Sequence, residues 1–213
     1  MKRILFILSF IAIVSSCNSD DNEQPEQSNF YALTVNNSWV YKFYKYNYQT
    51  EVYDETDVID EVSIIGTEEI YGHTYYKFKK VRTGVSDDDS QALYGDNGET
   101  ISLLREYNGD LINDRGKLYF TNNNYDEIEM RIGSFFTIYS QLQENSEEIT
   151  TGAGTFNCIY SKWYARNDNN ELYPSEDKYY YKDGIGLIQS SISYVSSIHP
   201  PVIKRKLVSY NIQ

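Results

Sequence analysis

Hydrophobic and aromatic residues alternate with polar residues along most of this chain. In the segment SWVYKFYKYN, Trp39, Tyr41 and Phe43 fall on one side of an extended backbone. Lys42 and Tyr44 fall on the other side. A period of two is typical of a β-strand with two different faces. The pattern therefore predicts a strand here, and similar runs recur through to the C-terminus.

Turn signals separate these runs. Asn108-Gly109 is a strong two-residue hairpin signal between two alternating segments, and Tyr71–His73 marks another turn. Ten or eleven strands at spacings of roughly 8–12 residues predict a sandwich or a barrel. Short connections favour an antiparallel meander. No segment has a clear helical stripe, although a short helix near residues 137–143 remains open as an alternative.

The N-terminus has the features of an export signal. Lys2 and Arg3 precede an apolar stretch over residues 4–14, which is shorter than the roughly 20 residues that span a bilayer. The sequence VSSC at residues 14–17 resembles a bacterial lipobox. The resemblance implies cleavage before Cys17 and acylation of its thiol, with two or three acyl chains anchoring the protein to a membrane. The alternative is ordinary secretion with Cys17 as a free thiol.

The residues after Cys17 bear on location. Residues 18–23, NSDDNE, resemble the acidic tag that directs many Bacteroidota-type lipoproteins to the outer face of the outer membrane. The alternatives are a plain solvated tether and the periplasmic face of that membrane. The predicted organisation is a signal peptide over 1–16, a lipidated cysteine with a flexible linker over 17–29, and a single β domain over 30–213.

Composition and charge limit the classes of partner. The 213 residues carry a net charge of −12 and include 22 tyrosines. Such acidity argues against nucleic acid, whose binding requires basic patches, and against attachment to anionic lipid by charge alone. With Cys17 acylated, Cys158 is the only remaining thiol, so no intramolecular disulfide is expected. Cys158 shares a predicted strand face with Phe156, which predicts burial in the core.

Three short motifs resemble recurring marks of uncharacterised Bacteroidota-type lipoproteins. They are NSWVY at 37–41, AGTFNC at 153–158 and YYKDGIGL at 180–187. The family pattern opens with Gly-Asn where this chain has Asn36-Asn37, which puts the first turn in question. The resemblance implies a curved antiparallel sheet wrapped into a half-barrel or open barrel. It implies no established activity and no catalytic residues.

Candidate chemistry is sparse. His73 and His199 lie far apart in the sequence and away from cysteine, which argues against a zinc site. There is no G-x-S-x-G segment and no nucleotide-binding glycine loop. The acidic runs, such as Asp87–Asp89, do not match a calcium loop, and acids in loops are usually solvated. We therefore expect no catalytic residues, no metal, no cofactor and no enzymatic activity.

The tyrosines suggest one candidate binding surface. Tyr44, Tyr46 and Tyr48 share a face of the first predicted strand, opposite Trp39, and exposed rows of rings can stack on sugars. Packing at the rim of a sheet is the simpler interpretation. The leading hypothesis is a non-enzymatic lipoprotein that binds an unknown ligand, with glycan as one candidate. The alternative is an envelope assembly factor, contacting another envelope protein, or an acyl-chain carrier with a half-barrel groove. An unrecognised hydrolase is third.

Overall fold

The computed structural model describes residues 29–87 and 91–213, which form thirteen strands and one short helix. The strands are β1 Ser38–Asn47, β2 Val52–Ile70, β3 His73–Thr83, β4 Gly98–Tyr107, β5 Asp110–Asn113, β6 Leu118–Thr121, β7 Ile128–Ile132, β8 Phe136–Leu142, β9 Glu147–Thr151, β10 Gly154–Asn167, β11 Leu172–Lys182, β12 Gly186–Ile192 and β13 Ile203–Asn211. The helix, α1, is Gln91–Tyr94. None of the helical structure in these ranges has the length and apolar character needed to cross a membrane.

One antiparallel sheet contains all the strands, in the order β6-β5-β4-β3-β2-β1-β13-β12-β11-β10-β8-β7, with β9 paired to β10. The predicted all-β antiparallel fold is confirmed, and the sheet is nearly closed into a barrel. The predicted number of ten or eleven strands is too low, since the described residues form thirteen, of which β5, β6 and β9 have only four or five residues each. The alternative of a helix near 137–143 is wrong, since those residues pair with β10 as part of β8.

Two turns follow directly from the sequence. Asn108 and Gly109 join β4 to β5 with φ angles of 52° and 87°, as a two-residue hairpin of the primed type requires. Asn36, which stands where the resembled family has glycine, adopts a φ of 75°. Asparagine tolerates this left-handed region better than most residues, so the first turn keeps a glycine-like conformation without glycine.

The curvature of the sheet brings distant strands together across its interior. Phe120 of β6 and Tyr181 of β11 are far apart in the strand order, yet their rings stack with centroids 4.0 Å apart. The inner face also carries Trp39, Tyr41 and Phe43 of β1, all buried. The predicted common face of these three side chains is therefore the concave face of the barrel.

The segment just before β1 fills one end of this interior. Phe30, Tyr31 and Leu33 are buried in the main hydrophobic cluster. The Tyr31 hydroxyl donates a hydrogen bond to the Gly109 carbonyl at the β4–β5 turn, and its oxygen lies 3.3 Å from the Phe120 carbonyl on β6. The amide of Gly184 donates to the carbonyl of Phe30. The segment thus connects the two sides of the curled sheet.

Asn37 joins three parts of the chain at the same end. It is fully buried, and its Nδ2 donates to the Ala32 carbonyl at 2.8 Å while its Oδ1 accepts from the amide of Gln213 at 2.8 Å. The amide of Ile64 donates to its backbone carbonyl at 2.9 Å. This one side chain and its backbone therefore hold the N-terminal segment, β2 and the C-terminus together.

A buried ionic cluster lies further along the inner face. Asp60 of β2 is fully buried and accepts two hydrogen bonds from Arg82 of β3, at 2.6 and 2.7 Å. The Nε of Arg205 of β13 lies 3.1 Å from Oδ2 of Asp60, the oxygen that also accepts from Nη2 of Arg82. The Nε–H of Arg205 is not aligned for a hydrogen bond, so this contact is an ion pair alone. Burial by itself raises the pKa of Asp60, but the two arginines outweigh it and hold that pKa below its usual value.

Cys158 is fully buried in the main cluster, as predicted, with Phe156 packed against the same cluster. Burial raises the pKa of the Cys158 thiol to about 11. The thiol therefore stays protonated at neutral pH and acts as a small apolar core group.

The first prediction concerns Asn37. Asn37→Ala removes both side-chain hydrogen bonds of a fully buried residue, so that the Ala32 carbonyl keeps only the Thr34 amide as a donor and the Gln213 amide loses its side-chain acceptor. We expect the free energy of unfolding to fall by about 2–3 kcal/mol. Urea denaturation measures this. The exposed Asn169→Ala variant serves as the control and should change little; equal effects of the two substitutions would contradict the role of Asn37.

The second prediction concerns Asp60. Asp60→Asn leaves two arginines without their carboxylate, and breaking a buried ion pair costs about 3–5 kcal/mol. Glu55→Gln on the same strand is a matched control, because Glu55 pairs with Lys42 at the solvent-exposed surface. Thermal and urea unfolding should show a large loss for Asp60→Asn and almost none for Glu55→Gln. Similar small losses of stability in both variants would refute the stabilising role of the buried ionic cluster.

The third prediction concerns how the loss of stability in Asp60→Asn depends on pH. Because the folded-state pKa of Asp60 is depressed below the unfolded value of about 3.9, the unfolded chain takes up the proton more readily. The stabilisation is therefore complete above about pH 4 and declines as the pH falls further. The difference in unfolding free energy between wild type and Asp60→Asn should narrow in that acidic range. A constant difference down to acid unfolding contradicts this account.

Candidate functional site

A cavity of about 290 Å³ remains in the interior, between β1–β4 on one side and the β11–β12 hairpin on the other. Six aromatic rings line it, from four strands and the N-terminal segment: Tyr31, Trp39, Tyr41, Phe78, Tyr119 and Tyr181. Alternation explains the lining from β1, β3 and β4, because each strand turns every second side chain inwards, whereas Tyr119 reaches the cavity from the edge strand next to the inward-facing Phe120. The volume is near the lower end of the range of about 300–1,000 Å³ for small-molecule sites.

The polar ends of the key rings are already bonded to the protein. The Trp39 Nε1–H donates to the Ile185 carbonyl at 2.7 Å, and the Tyr41 hydroxyl donates to the Leu187 carbonyl at 2.9 Å. The rings of Trp39 and Phe78 stack with centroids 6.0 Å apart. Since their polar atoms are satisfied, these side chains offer apolar ring surface to the cavity.

Two of the three motifs noted in the sequence meet at this cavity. Trp39 and Tyr41 belong to the first motif, and the carbonyls that accept their hydrogen bonds belong to the GIGL end of the third. Gly186 has a φ of 91°, and a Cβ there would lie 3.5 Å from the Tyr31 carbonyl oxygen. Its backbone conformation is one that residues with a side chain rarely adopt. The third motif therefore shapes one wall of the cavity.

Positive charge lines one part of the wall. Lys80 and Arg205 both face the cavity, and the Arg205 guanidinium lies 3.9 Å from the centre of the Tyr41 ring. Burial lowers the pKa of Lys80, the charge of Arg82 lowers it further, and the charge of Asp60 opposes both. The lysine therefore lies in a local environment that is positive on balance.

The tyrosines of the cavity add no negative charge. Burial raises the pKa of Tyr41 to about 12, against the opposing effect of Arg205. Burial likewise raises the pKa values of Tyr31 and Tyr181. These hydroxyls are protonated at neutral pH, so the ionised groups that line the cavity are the two cations.

A larger groove of about 630 Å³ lies mainly on the outer side of β3–β5. Its lining is largely polar, and Lys77 pairs there with Glu68 at 2.8 Å. Glu99 in the same groove pairs with Lys79 at 2.6 Å. Because Glu68, Lys77 and Glu99 are each paired within the protein, this groove is a weaker candidate than the smaller, ring-lined cavity.

The tyrosines singled out from the sequence lie elsewhere. Tyr44 and Tyr46 are on the outer face of β1, opposite Trp39, as predicted, but Tyr48 lies beyond the end of β1 in the following turn. Tyr46 packs edge-on against Tyr48, with centroids 5.3 Å apart, and against Tyr53 at 5.2 Å. Tyr44 lies near Glu55 and Lys206 instead. Their role as a glycan-contact row stays a prediction.

A buried carboxylate cluster of the kind that a hydrolase would need occurs near β12. Asp177 accepts hydrogen bonds from the hydroxyls of Ser191 and Ser193 at 3.0 and 2.7 Å. Burial raises the pKa of Asp177, and the serines partly oppose this. The two histidines lie elsewhere, since His73 begins β3 and His199 packs on Tyr48. The serines therefore satisfy a buried acid and have no imidazole base to activate them.

Two further predictions concern a metal site and the N-terminal segments. Over residues 29–87 and 91–213, no three His, Cys, Asp or Glu side chains are grouped so as to hold a metal ion. Cys17, the signal peptide over 1–16 and nearly all of the linker lie outside the described residues.

The sequence did not single out the cavity residues as a site. Trp39 and Tyr41 were placed on one face, but nothing in the sequence connects that face with Phe78, Tyr119 or Tyr181. The pattern that could have indicated the cavity is the aromatic residue that recurs at every second position of several strands. Nothing in the sequence indicated that Lys80 faces the interior, since an isolated lysine in a strand usually faces solvent.

Comparison with known proteins agrees with an exported lipoprotein. The family described as "prokaryotic membrane lipoprotein lipid attachment site" matches residues 1–18, which include Cys17. This match implies lipid anchoring to a membrane. No curated protein matches the chain.

Two crystal structures resemble the chain over 86% of its length and 99% of theirs. One is a protein from Bacteroides fragilis described as exported and as having a YmcC-like fold, with a TM-score of 0.55 and 11% identity. The other is a protein from Parabacteroides distasonis described as a lipoprotein, with a TM-score of 0.52 and 14% identity. At these identities the likeness shows a shared fold, and the chain is an all-β protein of this YmcC-like architecture with a lipoprotein attachment site.

Proposed function

We propose that this protein is a non-enzymatic, lipid-anchored lipoprotein that binds a small, largely apolar ligand inside its barrel. The ring-lined cavity of about 290 Å³ carries the proposal. Buried aromatic surface of this kind is the usual basis of small-molecule binding, with a few polar groups to orient the ligand. The cavity fits a ligand body of one or two rings better than an extended sugar chain.

The chemistry around the cavity supports binding without catalysis. The polar ends of Trp39 and Tyr41 are occupied by backbone carbonyls, and Asp60 is held by arginines. None of these groups is arranged as a nucleophile with a base in hydrogen-bond reach. Asp177 and its partner Ser193 line a separate, smaller cavity of about 80 Å³.

We further propose that the protein is displayed on the outer face of the outer membrane. The lipid attachment site supports membrane anchoring, and the acidic residues 18–23 after Cys17 support export to the surface. A short polar linker then holds the ligand-binding barrel close to the envelope. The periplasmic face is the alternative location.

Ligand binding is tested with N-phenyl-1-naphthylamine, a neutral two-ring fluorophore that brightens in apolar surroundings. Ser102 of β4 lines the cavity, so Ser102→Trp should fill it and weaken binding by about tenfold or more. Ile101→Trp, one residue away and facing outwards, should leave binding unchanged. Thr100→Trp at the cavity wall provides a second test if Ser102→Trp does not fold, as judged by circular dichroism. Binding that persists in both Ser102→Trp and Thr100→Trp would contradict the assignment of the cavity as the binding site.

Anchoring and location are tested in cells. Cys17→Ser should move the protein from the membrane fraction to the soluble fraction, because the acylated thiol is lost. In intact cells carrying the wild-type protein, added protease should degrade the barrel, while a periplasmic marker stays intact. Protection of the barrel from protease would place it on the periplasmic side, and membrane retention of Cys17→Ser would refute the lipid anchor.

A further inference from the structure

We infer that the ligand of this cavity carries an acidic group, which binds to Lys80 and Arg205. This inference rests on the proposed ligand-binding function and names the chemical class: a small organic acid with an apolar body. The apolar part would lie among the rings, and the anionic head would lie at the cationic wall of the cavity.

The balance of charge on the inner face is the first argument. Lys80, Arg82 and Arg205 contribute three positive charges, and Asp60 contributes one negative charge. The acids Glu106 and Asp110 act electrostatically on Tyr31, but neither lines the cavity. The cavity wall is thus positive in a chain whose net charge is −12.

The pairing of the cations is the second argument. Arg82 takes both oxygens of Asp60 in a two-bond arrangement, which leaves Arg205 with an ion pair but a buried Nε–H without an aligned acceptor. A carboxylate can satisfy one arginine fully in this way and a second one only in part. Arg205 therefore retains capacity to donate to an acidic ligand.

The contrast between lysines of one strand is the third argument. Lys77 and Lys79 of β3 face outwards and each pairs with a glutamate, at 2.8 and 2.6 Å. Lys80 faces inwards and forms no ion pair with a carboxylate in the described part of the chain. A half-buried ammonium beside two guanidinium groups is costly unless an anion approaches it. An acidic ligand supplies that anion.

The affinity for an acid is measured with two fluorophores that share one ring system. 8-Anilino-1-naphthalenesulfonate carries a permanent negative charge, and N-phenyl-1-naphthylamine has the same rings without it. We expect wild-type protein to bind the sulfonate about tenfold more tightly than the neutral compound, because charge-assisted contacts add to the same apolar burial. Raised salt should reduce this preference.

A pair of adjacent lysine substitutions assigns the effect to the cavity. Lys80→Met should remove the preference for the sulfonate, so that the ratio of the two affinities falls from about tenfold to about one. Lys79→Met removes the same charge from the outer face of the same strand and should leave the preference intact. Unfolding curves of both variants confirm that the fold is kept.

The outcomes separate this inference from the proposed function. A preference for the sulfonate that Lys80→Met abolishes and Lys79→Met preserves supports the acidic ligand. Equal binding of both fluorophores, blocked by Ser102→Trp, overturns the acidic ligand and retains a neutral ligand in the cavity. Binding of neither compound, or binding of both that Ser102→Trp does not change, overturns the proposed function as well.

Discussion

The architecture depends on how the concave face of a single, strongly curved sheet is filled. Aromatic rings occupy most of that space, and their polar ends reach backbone carbonyls on the opposite side, as Trp39 and Tyr41 do at the start of β12. Tyr31 does the same from the N-terminal segment to the β4–β5 turn. These hydrogen bonds stabilise the curvature, because each one joins segments that are not hydrogen-bonded neighbours in the sheet: Trp39 and Tyr41 reach past β13 to the start of β12, and Tyr31 reaches the β4–β5 turn. The cavity is the space that this arrangement leaves open.

Charge on the inner face connects the stability of the barrel with its proposed role. Asp60 stabilises the fold only because Arg82 and Arg205 offset its desolvation, and the same arginines leave the inner face with excess positive charge. A core built for stability alone is more commonly apolar at such positions. The cluster therefore stabilises the fold, and its excess positive charge favours an anion in the cavity.

The sequence predicted the strands well, because alternation and turn residues are local properties. Asn108-Gly109 gave the correct hairpin, and the position of Cys158 gave the correct buried face. Alternation does not show which face of a sheet is concave. The inward charges at Lys80, Arg82 and Arg205 were therefore not recognised. Tyr44, Tyr46 and Tyr48 attracted attention as neighbours in the sequence, whereas the cavity collects its rings from five separate segments.

The central claim, that the ring-lined interior is a ligand site, is tested most directly by nuclear magnetic resonance of the two tryptophan indole N–H groups. Trp39 lines the cavity, whereas Trp163 lines the separate small cavity beside Asp177. Titration with N-phenyl-1-naphthylamine should shift the Trp39 indole signal in a saturable manner and leave the Trp163 signal in place. A shift of Trp163 alone, or no shift of either signal at saturating probe, would contradict the account.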